Sequence, residues 1–428
     1  MTNKLPQGWV ECELKDIFDT SSGGTPKRGN PAYYGGDIPW MKSGELNNGI
    51  VSEAEEFIIE EGLKNSSAKL FPRGSLLIAL YGATVGKLGI LDFDSTTNQA
   101  ICCIYQNNNY NRDFLFYYLL YKKEYLVNQG KVGAQPNISQ EIIKALKIPV
   151  PSLNEQKRIV EKIEEEFGKI DEGVEKLKLA QEQIKQYRQS VLKSAFDGKL
   201  YKTTKWDKYT IKDISTNIQY GYTESASSNK IGPKFLRITD IQNNSVNWDT
   251  VPYCKISNDN KSKYLLKNGD FVFARTGATV GKSYMIQNLN EEAVYASYLI
   301  RIGFMDNIET KFIKYYFQTN EYWAQIADNQ VGIGQPNVNG TKLGNLTINL
   351  PTVDEQKQIV KEIEKRFKVA DEVERVITEN LEKAEQLKQS ILKKAFEGRL
   401  VPQDPTDQPA SELLAQIQKE RKNSHERI

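Results

Sequence analysis

Apolar residues recur every seven positions in two stretches of the chain. Ile163, Ile170, Leu177, Ile184 and Val191 mark the first, and Ile363, Ala370, Ile377, Ala384 and Ile391 mark the second, with Leu387 expected to join its packing face. A strict seven-residue repeat asks for a left-handed supercoil against another helix. Pro151 and Pro351 bar extension backwards. Ser152 with Glu155, and Thr352 with Glu355, have capping-box spacing. Gly198 and Gly398 supply stops behind a basic last turn. Two helices are predicted, over 151–200 and 351–400. Either another chain or the other copy can serve as the partner. About 40 residues at a rise of about 1.5 Å make a rod of about 60 Å.

The pattern before and between these helices is globular. Residues 1–150 hold strand-like runs at Ile38 to Leu46, Leu76 to Leu80, Ile101 to Tyr105 and Leu146 to Val150, and an aromatic helix over Phe114 to Val127. The segment from Thr20 to Trp40 is so rich in glycine, proline, asparagine and serine that no regular element is expected there. Residues 201–350 repeat the order with lower identity. Trp206 stands where Trp9 stood, IKDI at Ile211 answers LKDI at Leu14, and GATVGK occurs verbatim at Gly82 and Gly277. QPNVN at Gln335 answers QPNIS at Gln135, a polar turn before a strand. The helical stretches, Ile148 to Leu200 and Ile348 to Leu400, align without a gap at an offset of 200. The loops are what diverged. A duplicated scaffold with unlike loops suits two different ligands of one kind. Residues 401–428 form a tail with three prolines, a short amphipathic helix from about Ala410 and a basic end.

Composition narrows the chemistry. With 428 residues, 39% hydrophobic and 26% charged, two or three cored domains fit. The net charge of +2 neither announces nor excludes a nucleic-acid partner, which needs only a local basic face. Cys12, Cys102, Cys103 and Cys254 have no framework or metal spacing, so free thiols in a reducing cytoplasm are expected. His425 is the sole histidine, which removes zinc sites and triads that need one. The N-terminus lacks a signal-peptide core and no run approaches 18 apolar residues, so a cytoplasmic chain is expected.

Catalytic motifs fail on inspection. GATVGK has three residues between glycine and Gly-Lys where a phosphate-binding loop needs four. A glycine turn joining two strands remains, whether purely structural or with its amides and Lys87 or Lys282 on a DNA phosphate. The Pro151 to Lys157 and Pro351 to Lys357 stretches resemble a nuclease signature only faintly, and capping accounts for them. No methyltransferase tetrapeptide, metal cluster or carboxylate pair occurs, so no catalytic or metal-binding residue is assigned. The expected chemistry is DNA recognition by polar side chains interleaved with aromatics: Thr25, Lys27, Arg28, Trp40, Lys42, Tyr81 and Lys87 in the first region, Tyr220, Tyr222, Lys234, Arg237, Arg275 and Lys282 in the second. Two other classes stay open, a fused methyltransferase or nucleotide hydrolase and a coiled-coil scaffold that touches no DNA.

Along essentially its whole length the chain resembles the specificity subunit of type I restriction-modification systems. The carriers are GGTPKRGNPAYYGGDIPW, the paired GATVGK and QPNIS/QPNVN motifs, IPVPSLNEQKRIV with INLPTVDEQKQIV, and AFEGRLVPQDP before the Pro-Ala-Ser-Glu-Leu-Leu tail. The second glycine-rich entry loop departs from the first, where Thr25-Pro26 has no counterpart. The resemblance implies an α+β chain of two similar α/β target-recognition domains, separated by two long antiparallel coiled-coil helices in a pseudo-twofold repeat. It implies a subunit without catalysis or cofactor of its own, reading a bipartite target in double-stranded DNA. It further implies two adenine-methyltransferase subunits that use S-adenosylmethionine and, in the restricting form, two motor-nuclease subunits that use ATP and Mg.

Overall fold

The computed structural model describes residues 5–130, 137–202, 205–242, 244–328 and 337–425; Gln135, Pro136, Gln335 and Pro336 of the repeated turns and the end of the basic tail lie outside the described residues. Both predicted helices form, over Leu153–Phe196 and Val353–Phe396, 44 residues each. Gly198 and Gly398 end them with φ of +70° and +65°, where a side chain is strained. The capping boxes are each half made. In the first copy Ser152 Oγ accepts from the Glu155 amide, while the Glu155 carboxylate accepts from Trp9 Nε1. In the second, Glu355 takes the Thr352 amide and hydroxyl.

Two compact units emerge, Met1–Lys176 with Asn380–Ile428, and Leu177–Glu379. Each contains one globular region, the beginning of one long helix and the end of the other. In the first unit Ile159, Val160 and Ile163 share a core with Ile391, Leu392, Ala395 and Phe396. In the second, Val191, Leu192 and Ala195 share one with Ile359, Val360 and Ile363. Beginnings pack on ends, so the helices are antiparallel, and the partner is the other copy. Each fully buried Ile or Leu contributes about 1.5–3 kcal/mol.

The heptad stripe reads as expected, with Ile163, Ile184, Val191, Ile363, Ala370, Ile377 and Ile391 buried, and Ile170 and Leu177 half-buried. Leu387 is a correction. It is 52% exposed, one position off the seam, which Lys388 occupies instead. Lys388 bonds Asp171 and lies 5.1 Å from the Phe167 ring centroid. In the second unit Arg188, 200 positions earlier, bonds Asp371 at 2.5 Å and Glu374 at 3.1 Å over Phe367.

The globular part of the first unit is a five-stranded sheet in the order Thr20–Ser22, Ile101–Ile104, Leu76–Ala79, Leu88–Leu91, Gly49–Val51, with a three-stranded sheet built on Tyr34–Met41. Strands therefore do form inside the glycine-rich stretch Thr20 to Trp40, against expectation. Gly23 and Gly24 serve contact there: a Cβ would lie 2.1 Å from Thr97 Oγ1 at the first and 2.2 Å from the Ser67 backbone at the second. The strand expected to reach Leu46 stops at Met41, and a 3-10 turn, Ser43–Glu45, follows. The second unit carries the matching sheet, Ser215–Tyr220, Leu299–Phe304, Phe271–Ala274, Ser283–Met285.

Each region closes on itself through an antiparallel ribbon just before its long helix. Val10–Glu13 pairs Lys147–Val150, and Asp207–Thr210 pairs Thr347–Leu350. The aromatic helix spans Arg112–Gln129 in the first unit. In the second it breaks into Thr310–Tyr316 and Asn320–Asp328. Tyr118 and Tyr316 donate to the Lys147 and Thr347 carbonyls, so the break leaves the anchor intact. Phe396 packs within 5.5 Å of Phe114, Tyr118 and Tyr121, and Phe196 lies 4.8 Å from Phe312. In the first unit alone, the tail helix Ala410–His425 buries Leu413 and Ile417 in the core. Asp407 ahead of it takes Arg158 at 2.8 Å and the Ser152 hydroxyl at 2.8 Å. The four cysteines are buried free thiols, and burial pushes those of Cys12, Cys102 and Cys103 up to about 12.

Candidate nucleic-acid interface

The two repeated motifs converge in space in each unit. GATVGK begins as a 3-10 turn, Gly82–Thr84 or Gly277–Thr279, joining antiparallel strands. The residue before it is bridged to the asparagine of the second motif, Tyr81 to Asn137 and Thr276 to Asn337. Adjacent amides complete the tie, Ile138 donating to the Leu80 carbonyl at 2.7 Å and Val338 to that of Arg275 at 3.0 Å. All four glycines of the turns, Gly82, Gly86, Gly277 and Gly281, have positive φ. A Cβ on Gly86 would press on Lys123 and Val127, and one on Gly281 on Ile326 and Trp323. The turn is thus pinned to the aromatic helix on one side and the asparagine turn on the other. Lys87 at its end is half-buried and Lys282 is exposed.

In the first unit, the predicted residues sort sharply. Arg28 is exposed, its Cζ 4.5 Å from the Tyr34 ring centroid and 4.6 Å from that of Trp40, and Nη1 donates to Glu56 Oε2 at 2.7 Å. Lys42 reaches Glu56 Oε1 at 2.9 Å and Glu55 at 3.3 Å. Arg28 and Lys42 hold the Glu56 carboxyl below the usual carboxylate range. Thr25 donates to Gln99, and Lys27 is exposed. Tyr81 is half-buried against the core. Trp40 is a correction, since it is 1% exposed with its indole N–H on the Gly24 carbonyl. Being the floor under Arg28, it has no face for a base.

In the second unit Lys234 is likewise a correction. It is 3% exposed and donates to the Val251 carbonyl at 3.2 Å, with the Tyr253 ring at 4.3 Å, so its charge serves the fold. Arg237 is held by a fork of two bonds to Asp240. Tyr222 packs on Tyr264. Tyr220 is 41% exposed and its hydroxyl accepts from the Gly340 amide at 2.9 Å. Arg275 lies 5.0 Å from the Tyr220 ring centroid. The structure therefore brings together Thr25-loop residues with Lys42 in one unit, and Tyr220, Arg275 and the Lys282 turn in the other.

Sequence reasoning missed the buried glutamines Gln156 and Gln356. Each donates to the carbonyl of the proline before its helix and accepts from the first amides of the aromatic helix region, Asn111 at 2.8 Å and Glu309 at 3.0 Å. Their recurrence at an offset of 200 was the available signal. Among the described residues no cluster of three or more His, Cys, Asp or Glu could hold a metal ion, and no helix is long and apolar enough to cross a membrane.

The family model of the type I restriction modification DNA specificity domain matches residues 6–181 and again 203–383. The specificity subunit of type I restriction enzyme EcoKI from Escherichia coli (strain K12) is 25% identical over 451 aligned positions, covering 98% of this chain and 96% of that one. The MjaVIII specificity subunit of Methanocaldococcus jannaschii is 24% identical over 419, covering 93% and 94%. A solved chain, from work on complex assembly and conformational transition of the type I R-M system, matches with a TM-score of 0.71 at 19% identity, covering 92% of this chain and 99% of that one, which speaks for the fold. With the domain matched twice over most of its length, this chain belongs to the family of type I restriction-modification DNA specificity proteins.

Proposed function

We propose that this chain is the non-catalytic specificity subunit of a type I restriction-modification complex, each globular region reading one half of a bipartite site in double-stranded DNA. The observation that carries this is the pairing of sameness and difference. Both units keep the turn pinned to its asparagine, while the side chains leading into it differ: a buried Leu80 in one, Arg275 on Tyr220 in the other. Residues 1–150 and 201–350 serve as the recognition domains, 151–200 and 351–400 as the spacer, and 401–428 as a tail.

The long helices set the unread spacer between half-sites. Each has 44 residues, about 66 Å at about 1.5 Å per residue, which caps the span at about 19 base pairs. Their repeated ends give two equivalent docking faces, one for each of two adenine-methyltransferase subunits. Those subunits bind S-adenosylmethionine, and the motor-nuclease subunits of the restricting form bind ATP and Mg; this chain binds none of these. The complex works in the cytoplasm. Of the DNA-contact candidates, Thr25, Lys27, Arg28, Lys42, Tyr81, Lys87, Tyr220, Tyr222, Arg237, Arg275 and Lys282 remain available to DNA.

The test is a methylome. The chain is co-expressed with a methyltransferase subunit encoded beside it, methylated adenines are located by sequencing, and the measurement is repeated without the chain. A bipartite motif that depends on the chain is the expected result. Methylation indifferent to its presence would sink the reading.

A further inference from the structure

Arginine charge is compensated throughout the described residues, with one exception. Arg28, Arg73, Arg112, Arg158, Arg188, Arg237, Arg301, Arg366, Arg375, Arg399 and Arg421 each have a carboxylate oxygen within 4.0 Å. Arg275 has none among the described residues. Its side chain is half-buried and its Nε is buried without a hydrogen-bond partner. A desolvated guanidinium N–H with no acceptor is costly, and no hydrogen bond among the described residues repays that cost.

Strand register shows what stands at this position in the other unit. Ala79 pairs with Ile101 and Ser22 with Cys102 in the first sheet. Ala274 pairs with Leu299 and Tyr220 with Ile300 in the second. Ser22 therefore corresponds to Tyr220, and Leu80, next after Ala79, to Arg275. The surroundings agree. Ser22 donates to the Gln140 side chain at 3.1 Å, and Tyr220 accepts from the amide of Gly340, 200 positions on from Gln140. Leu80 is buried and apolar, and it leaves no polar atom unanswered. The first unit thus shows that this place needs no arginine to fold. In the second unit a cation and an aromatic ring replace a leucine and a serine, beside a turn whose backbone is unchanged.

Resting on the reading of the chain as a DNA specificity subunit, we propose that Arg275, stacked on Tyr220, reads a guanine in the half-site bound by the second unit. The ring, fixed through its hydroxyl, holds the guanidinium plane. A planar fork without an acceptor among the described residues matches the O6 and N7 acceptors of guanine in the major groove. The position differs between the two units, as a base-reading position must when the two half-sites differ. A shared phosphate contact is better served by the common turn.

The test compares the methylomes directed by wild-type chain, R275L and R275K, each co-expressed with the methyltransferase. R275L installs the residue the first unit carries, and R275K keeps the charge without the fork; thermal unfolding of the purified chains checks that both fold. The wild type is expected to show one G·C pair in one half of its motif that turns degenerate in both variants, discrimination there falling about tenfold or more. The other half-site stays unchanged. A motif unaltered in R275L overturns the assignment, as does methylation that falls equally at all sites with the motif intact, the mark of a backbone contact. A wild-type chain that directs no bipartite motif overturns the underlying reading instead.

Discussion

Arg188 lies over the ring of Phe367 with its Cζ 5.0 Å from the centroid, and it reaches back to Asp371 on the same helix as that ring. Two hundred residues on, Lys388 repeats the arrangement with Phe167 and Asp171. The cation supplies both a ring contact and an ion pair across the seam, and its side chain is 22% exposed at Arg188 and 20% at Lys388. R188A and K388A are each expected to cost about 1–2 kcal/mol, R188A the more because a guanidinium stacks better. Denaturant unfolding measures it, and a change below about 0.3 kcal/mol would show the ties to be ornamental.

Phe396 fills a cage of three aromatic rings. F396A should destabilise the first unit by about 3–5 kcal/mol, and F196A the second by a similar amount. Hydrogen exchange resolved by region checks this: each variant should loosen the unit in which its ring sits. Uniform loosening by either one contradicts the separate cores.

Asp407 and Glu155 should titrate with opposite effect on stability. Arg158 holds the Asp407 carboxyl below its usual value. Its stabilisation is present above the ordinary carboxylate pKa and is lost as pH falls through the lowered one. D407N should therefore lower Tm at neutral pH, by about 1.5–3 kcal/mol of stability, and flatten the acid limb.

Glu155 runs the other way. Burial raises its pKa, with the Trp9 indole opposing. Its contribution favours folding on the acid side and declines as pH climbs from the usual value toward the raised one. E155Q keeps an acceptor for Trp9 without the charge, so it should match or exceed wild-type Tm on the alkaline side of the raised pKa. A marked loss there would mean the carboxylate itself is needed.

Inserting seven residues into one long helix, at the half-exposed middle of the stripe, keeps every flanking residue on its face. The methylome should then show a changed spacer between two unchanged half-sites. Altered half-sites would count against the helices as a ruler.

Much of this architecture was legible because it is written locally. Heptad spacing, helix-start prolines and stop glycines depend on neighbours in sequence, and each formed where expected. The failures have one cause, which is that side-chain fate depends on what packs from afar. Trp40 looked like a stacking surface until the Gly24 carbonyl claimed its N–H. Lys234 looked like a DNA contact until the Val251 carbonyl and Tyr253 buried it. Glycines that pointed to an irregular stretch at 23 and 24 proved to be close-approach points just past the strand Thr20–Ser22. Leu387 was placed by its apolarity, whereas the seam is set by phase and Lys388 holds it. Arg275 and Tyr220, 55 residues apart in the chain, could be named singly but paired only by strand register.

The ribbons that pair Val10 with Val150 and Asp207 with Leu350 make each globular region begin and end at hydrogen-bonded neighbours. Whatever lies between those pairs can be replaced without moving the helices that follow. Because the two helical stretches align without a gap 200 residues apart, both regions are followed by the same kind of socket. Each head is therefore a cassette: a different insert closed by the same ribbon would leave the helix behind it in place.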